Sequence, residues 1–563
     1  MSASKLQESG EVRIGHSLNT NEKEFVVRRR ETVFQSLQKL KIYCSQNEVP
    51  HIALLGSGGG QRAMVGLLGS LVELDKAGLL DCILYLSGVS GSTWCMASLY
   101  QEPDWSTKLE TVKDKIIKRL SSSKVSWRDT YVKLMKYYQV KDFFSLTDVW
   151  AALVITTFVK EIDELTLTDH WDHLSKDPFP IYTAIDKQCK KEEEKGGDTA
   201  DPWFEISPYE AGYSLTGAFV GTSSFGSQFD KGSKKKPQPE MDMLYLQALC
   251  GSALADGEEN KKFLWEYIKD FFHYLTPIIE LEMFDEIRKD PNDPSVHKCF
   301  RVLMDLVDMN LSVLNGIDSS DLVQSIQKTL KELSGGKCHL IFPEEKSDLA
   351  VKQAAKYTED VCTHLSNLFH YERFVFQMWT CICKCMAKWI WGRNYNFLNK
   401  MTDKTVPPTL LQSEMRDYED AGLLLNSPYF SVLRQERNID LIISLDFSDD
   451  DPFTTVTETY KLCEELNIPF PEVNIPSEDL KKPKDFYVFK GQNAPTVIHI
   501  PLFNVVNCGD QLETYRHKYG TFQFPYCHKK ITKLMEVAGN NISNNREKLL
   551  EEIRAAIRQK SCD

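Results

Sequence analysis

An α/β fold, with a central, largely parallel sheet, a helical cap and insertions, is predicted by three features of this sequence. Predominantly apolar runs recur at residues 52–55, 82–86, 178–186, 438–447 and 496–503, and such runs suit strands covered on both faces, as in parallel sheets. A helical pattern separates the first two runs, with Met64, Leu67, Leu68, Leu71 and Leu74 on one face before a stop at Gly78. Each of the first two runs also ends in glycines, at Gly56-Ser57-Gly58-Gly59-Gly60 and at Gly88-Val89-Ser90-Gly91-Ser92. Parallel strands bring their carboxyl ends to one sheet edge, so the two special turns are expected side by side.

In chain order, residues 1–24 are polar and expected to be mobile. A helix is expected over 23–41, with Arg28-Arg29-Arg30 on a solvated face. Residues 101–175 are helical in pattern, with Trp105, Trp127, Trp150 and Trp171 among charges, and 178–186 reads as a buried strand followed by a charged loop, 190–198. Lys234-Lys235-Lys236 falls in a second polar loop, read as solvated. Charged amphipathic helices from 257 to 342 suggest an insertion, set at 255–400, that splits the α/β core.

The most apolar stretch, 374–391, is broken by Gln377, Lys384 and Lys388. With both lysines on one helical face, a buried or interfacial helix is expected rather than a membrane span. Within it only Cys381 and Cys385 share a face, and no second Cys/His pair follows at zinc spacing, so no metal site is expected. A strand at 438–447, a helix at 455–466, a strand at 496–503 and a last helix at 545–558 complete the chain. The end, Lys560-Ser561-Cys562-Asp563, is not a C-a-a-X prenylation box, so no anchor by that route is expected.

Composition narrows the class. The 563 residues, 42% of them hydrophobic, can bury a large core. A net charge of -13 argues against nonspecific nucleic-acid binding and against simple adhesion to acidic lipid. No N-terminal apolar stretch is long enough for a signal peptide or membrane span, which points to a cytoplasmic chain. The 15 cysteines lack the spacing of a disulfide framework and are expected to be reduced.

The glycine turns carry the chemistry. A serine between glycines on a sharp strand-to-helix turn has its hydroxyl lifted out of the sheet, as a nucleophile requires, and Ser90 is that serine. Gly59 and Gly60 can turn bare N–H groups toward a developing oxyanion. A P-loop is excluded because Gln61 and Arg62 follow Gly60 where Lys and Ser/Thr belong, and a Rossmann fingerprint fails at Gln61. Ser92 replaces the last glycine of the usual G-x-S-x-G elbow. Far downstream, Asp420 stands in Asp420-Ala421-Gly422, at a turn where partial burial would make its carboxylate a stronger base.

These stretches, S-G-G-G-Q-R-A-M-V-G, L-S-G-V-S-G-S-T-W and D-A-G-L-L-L-N-S-P-Y, resemble the cytosolic (group IV) phospholipase A2 family, a branch of the patatin-like lipases. The likeness, which runs from about residue 25 to the C-terminus, is strongest to the gamma type. It implies a patatin-like catalytic fold over 25–563 and a Ser90/Asp420 dyad, with Gly59 and Gly60 as oxyanion donors and Arg62 holding substrate phosphate or steadying the site.

The resemblance further implies cleavage of the sn-2 acyl ester of glycerophospholipids through an acyl-serine, with lysophospholipase and acyl-transfer side activities. The expected partners are a phospholipid membrane surface, met peripherally, and glycerophospholipid and lysophospholipid substrates; no cofactor and no nucleic acid are expected. No calcium-dependent C2 module is seen ahead of the catalytic stretch, so calcium independence is expected. Asp446, in a run too apolar to be other than a buried strand, is read as structural. Two other readings stand beside this one: a Ser-His-Asp esterase using His499, and a catalytically silent lipid-binding scaffold.

Overall fold

The computed structural model describes residues 12–193, 201–252, 258–287, 295–338, 340, 350–368, 374–521 and 523–561. Most of the expected charged loop 190–198, and the last two residues Cys562 and Asp563, lie outside them. The chain divides into two compact units, one of residues 1–123, 158–254 and 394–563, the other of 124–157 and 255–393.

The first unit is built on a mixed sheet of twelve strands. In chain order the strands are β1 (Arg13–Ile14), β2 (Ile52–Gly56), β3 (Tyr85–Gly88), β4 (Phe179–Asp186), β5 (Trp203–Ile206), β6 (Glu210–Tyr213), β7 (Ala218–Gly221), β8 (Gln228–Asp230), β9 (Ser233–Lys236), β10 (Arg393–Tyr395), β11 (Met415–Asp420), β12 (Leu441–Asp446), β13 (Tyr487–Phe489) and β14 (Thr496–Pro501). Their order across the sheet is β1-β7-β6-β5-β4-β3-β2-β12-β14-β13, with β10 and β11 off this path and β8-β9 a separate hairpin. Pairing is parallel from β4 through β3, β2 and β12 to β14. The flanks are antiparallel: β13 on one side, and β5, β6, β7 and β1 on the other.

The apolar runs fill the parallel centre, and every residue of β2, β4, β12 and β14 is buried. The register brings Gly56 level with Gly88 on one side and Leu445 on the other, so the turns that follow β2 and β3 leave the sheet at the same height. Helices α1 (Thr20–Lys39), α2 (Gly60–Lys76) and α3 (Gly91–Tyr100) follow the order read from the sequence.

Two expectations for the N-terminal stretch are corrected. The segment before residue 25 is held where it is described: Arg13 and Ile14 pair with Phe219 and Ala218, and Asn19 caps α1. Arg29 is buried rather than solvated, and its guanidinium donates to the carbonyls of Ile83 and Lys176.

The second unit is helical, with Trp127–Val140 and Leu146–Trp150 joined to Glu258–Ile287, Ser295–Leu314, Ser320–Leu333, Ala350–Leu368 and Phe374–Lys388. It therefore takes in 124–157 as well as the 255–393 region. Phe374–Lys388 is a core helix of this unit: Trp379 packs on Phe271 and Phe272, and Lys384 and Lys388 turn to Ser366 and Glu359. Cys381 and Cys385 hydrogen-bond each other on one face while Cys383 turns to Cys362. Among the described residues no cysteine is in a disulfide, no cluster of three or more His, Cys, Asp or Glu is placed to hold a metal ion, and no helix is long and apolar enough to cross a membrane.

Candidate active site

The site is assembled at one edge of β4. Tyr182 pairs with Gly88 of β3 and with Ile206 of β5, so β3 and β5 lie on opposite edges of β4. Ala184 pairs with Phe204 of β5 and with Asp420 of β11, so β11 takes the same edge as β3. It runs the other way. The end of β3 and the end of β11 thus meet head to head two residues apart on β4, roughly 6.6 Å along the strand. Ser90 lies just past the first end, and Asp420 is the last residue of the second.

Ser90 caps α3 with φ 52° and ψ -123°, a conformation costly for any residue with a side chain and maintained by its surroundings. Those surroundings are bonded on both sides: the Val89 N–H donates to Gly56 O at 3.0 Å, and Thr183 Oγ1 donates to Gly88 O at 2.7 Å. Gly91 has to be glycine, because a Cβ there would lie 1.8 Å from Gly60 O. Ser92 accounts for the missing last glycine of the elbow motif: its hydroxyl donates to Ser57 O at 2.6 Å and ties the serine turn to the glycine turn.

The glycine turn is fixed from three directions. Ser57 N–H donates to Leu445 O, Ser57 Oγ accepts from Phe447 N–H, and Gly58 N–H donates to Asn426 O at 3.0 Å. Gly59 and Gly60 then adopt φ of 149° and 55° at the start of α2. Among the described residues neither of their N–H groups meets an acceptor. Such paired donors at a helix N-terminus suit an anionic oxygen.

Asp420 is fully buried, and its Oδ1 accepts from Gly422 N–H at 2.8 Å. Burial and this carboxylate together push the neighbouring Cys250 thiol well above its ordinary range. Asn426, whose role the sequence left unread, links the two halves. A Cβ on Gly58 would lie 2.4 Å from Asn426 Oδ1 and 3.0 Å from Ser90 Cβ, and one on Gly422 would lie 3.0 Å from Asp420 Oδ1 and 3.3 Å from Asn426 Oδ1. Its only signal in the sequence was its place six residues after Asp420.

β11 itself is held by a clamp the sequence did not reveal. Arg416 Nε and Nη2 donate to Asp186 Oδ2 and Oδ1 at 2.7 and 2.8 Å, and the Tyr213 hydroxyl donates to the same carboxylate at 2.7 Å. All three side chains are buried.

Arg62 is brought to the glycine turn but is committed to protein. Its Nε donates to Phe447 O at 2.6 Å and its Nη1 to Tyr519 O and Asp449 Oδ2 at 2.7 and 3.0 Å, while Nη2 lies against Gly59. His499 is not brought to the site. It sits on β14, three strands from β3 and so roughly 14 Å away. It is packed on Phe453 and Tyr487 and donates from Nε2 to Pro452 O, and burial lowers its pKa to about 4. Asp446 is a buried β12 residue that accepts from Ser448 N–H, with its pKa raised to about 6 by burial.

Comparison with known proteins gives a consistent picture. A family model described as "Lysophospholipase catalytic domain" matches residues 52–256. "Cytosolic phospholipase A2 gamma" of Mus musculus is 34% identical over 568 residues, covering 95% of this chain and 91% of that one. The Homo sapiens protein of the same name is 34% identical over 563 residues, covering 97% and 96%. Among solved structures, human GIVD cytosolic phospholipase A2 aligns with a TM-score of 0.67 at 22% identity. Its complex with methyl gamma-linolenyl fluorophosphonate aligns at 0.64 and 22%. Each match covers 98% of this chain and 66% of the solved one, and at that identity the likeness shows the fold alone. With a third of its residues identical to the gamma proteins over nearly their whole length, the chain belongs to the cytosolic phospholipase A2 family.

Proposed function

We propose that the chain is a phospholipase A2 that cleaves the sn-2 ester of glycerophospholipids with Ser90 as nucleophile and Asp420 as base, without calcium. The observation that carries this is the head-to-head meeting of β3 and β11 on β4, which sets a strained serine and a buried carboxylate at facing strand ends. Ser90 Oγ attacks the ester carbonyl and passes its proton to Asp420. The N–H groups of Gly59 and Gly60 hold the negative oxygen that forms. Collapse of the tetrahedral adduct expels the lysophospholipid alkoxide, which takes the proton back from Asp420 and leaves acyl-Ser90. Asp420 then takes a proton from water as the hydroxide adds to the acyl carbonyl; on collapse Ser90 Oγ leaves, takes that proton back from Asp420, and the fatty acid departs.

A lysophospholipid in place of water gives acyl transfer, and a lysophospholipid in place of the diacyl substrate gives lysophospholipase activity. Arg62 steadies the glycine turn, a role supported by its bonds to Phe447 O and Tyr519 O. The enzyme works from the aqueous side on membranes it meets peripherally.

Fatty-acid release from mixed-acyl phosphatidylcholine vesicles tests the reading, with calcium and with chelator, for the intact chain and for Ser90→Ala and Asp420→Ala. Release of the sn-2 chain, equal in both conditions and lost in both variants, is expected. Near-full activity of Asp420→Ala would remove the dyad. Vesicle binding without release would favour the scaffold reading.

A further inference from the structure

Residues 515–521 and 523–530 of the catalytic unit carry a cationic surface over buried tyrosine rings, with one projecting phenyl ring, that the chemistry above does not use. Phe524 is 88% exposed. Nearby, Tyr519 stacks on Tyr515 at 6.3 Å and meets Tyr526 edge-on at 5.4 Å. Lys518 Nζ lies 5.3 Å from the Tyr519 ring, and Lys530 Nζ lies 5.4 Å from Tyr519 and 4.7 Å from Tyr526. Among the described residues neither ammonium has a carboxylate partner, since Glu513 is taken by Arg516 and Glu536 by Lys533. His517, His528 and Lys529 are exposed around them. Unpaired ammonium groups over aromatic faces beside a projecting phenyl ring are a poor arrangement for a surface facing only water.

This surface is joined to the oxyanion turn. Tyr526 N–H donates to Gln61 Oε1 at 2.8 Å, Arg62 Nη1 donates to Tyr519 O, and Thr521 N–H and Oγ1 both donate to the Asp449 oxygen that pairs with Arg62. Whatever seats on Lys518, Phe524 and Lys530 is therefore held close to the first turn of α2.

We propose that Lys518, Phe524 and Lys530, seated over the buried rings of Tyr519 and Tyr526, form the face by which the catalytic unit docks on an anionic phospholipid surface. Phe524 enters the boundary of the acyl chains, and the two lysines take headgroup phosphates. Charge complementarity selects this occupant: a chain of net charge -13 approaches an anionic bilayer favourably only through a local cationic patch. The inference rests on the phospholipase reading and names the surface through which that enzyme meets its substrate.

Co-sedimentation of the full chain with phosphatidylcholine vesicles, with and without phosphatidylserine, tests it. Hydrolysis of a water-soluble short-chain p-nitrophenyl ester is measured in parallel. Phe524→Asp is expected to weaken binding to both vesicles roughly tenfold or more, while keeping soluble-ester hydrolysis within about twofold and its melting temperature unchanged. Lys518→Gln with Lys530→Gln is expected to weaken binding to phosphatidylserine vesicles by roughly fivefold per lysine, with little change on pure phosphatidylcholine. Vesicle binding unaltered in Phe524→Asp, or no binding by the intact chain, overturns the proposal. Binding that depends on Phe524 in a chain that hydrolyses neither substrate would keep the docking face and remove the phospholipase reading, and hydrolysis with binding indifferent to Phe524 would do the reverse.

Discussion

The Cβ that Gly91 lacks would lie 1.8 Å from the carbonyl oxygen of Gly60. The serine elbow and the glycine turn therefore touch backbone to backbone, and the distance from Ser90 to the N–H groups of Gly59 and Gly60 is set by that contact. Gly91→Ala should force the first turns of α2 and α3 apart by more than an ångström. Misplacement on that scale costs roughly a hundredfold in rate. The expected outcome is a soluble, folded variant whose kcat falls by about that factor with KM little changed, measured by fatty-acid release. An unchanged kcat would mean that the oxyanion donors lie elsewhere.

Arg62 separates two roles that one residue type can fill. A guanidinium that grips substrate phosphate should matter only when the substrate carries one. One that holds Phe447 O and Tyr519 O should matter for every ester. Lysine keeps the charge but cannot reach both carbonyls with a planar fork. Arg62→Lys is therefore expected to lower kcat roughly ten- to a hundredfold on phospholipid and on a soluble short-chain ester alike, the scale of one to two buried acceptors losing their donors. A defect confined to phospholipid would assign Arg62 to the substrate instead.

The parallel centre was legible because β2, β3, β4, β12 and β14 need apolar residues on both faces, and the glycines that end β2 and β3 had to be where the turns are. Ser90, Gly59 and Gly60 followed from those turns. β11 was not legible as a strand. Met-Arg-Asp-Tyr-Glu-Asp has no apolar run, and it is buried because Arg416 and Asp186 neutralise each other across the sheet, a pairing 230 residues apart in sequence. Asp420 was consequently read only at a turn: it does cap the turn Ala421–Leu423, and it also closes β11. The antiparallel strands β5, β6 and β7 are too short for periodicity to mark. That 124–157 belongs with 255–393 is likewise decided by packing between distant segments, as is the burial of Arg29 among backbone carbonyls.

His499 tests the dyad from the opposite side. It donates to Pro452 O inside the sheet three strands from Ser90, and with a pKa of about 4 it is neutral at working pH. His499→Gln retains an N–H for that carbonyl. Activity per folded molecule should stay within about threefold, while stability falls by about 1–3 kcal/mol as the packing on Phe453 and Tyr487 is lost. Abolished turnover in a folded variant would revive a Ser-His-Asp triad.

The antiparallel flank is tied to α1 through a fully buried ionic cluster, and acid should release it. Arg437 donates to Glu22 Oε1 at 2.9 Å and to both oxygens of Glu205 at 2.8 and 2.9 Å, and Arg434 donates to Glu205 Oε1 at 2.6 Å. Burial alone would raise the Glu205 pKa, but Arg437 and Arg434 outweigh it and lower the pKa to about 2 from an ordinary 4.5. A carboxylate with a depressed folded-state pKa contributes stability that is complete above the unfolded value and lost as pH falls through the folded one. The window therefore runs from about 4.5 down to 2, and the contribution at neutral pH is about 3 kcal/mol. Arg437→Met leaves two buried carboxylates with Arg434 as their one charged partner in the cluster beside the Tyr85 and Ser214 hydroxyls, so a loss of about 3–5 kcal/mol is expected at pH 7. The Glu205 pKa rises in that variant, so its acid limb should shrink and end at higher pH. Urea unfolding at intervals between pH 7 and pH 3 would show both effects, and an acid limb identical in the two proteins would mean that the cluster does not govern acid stability.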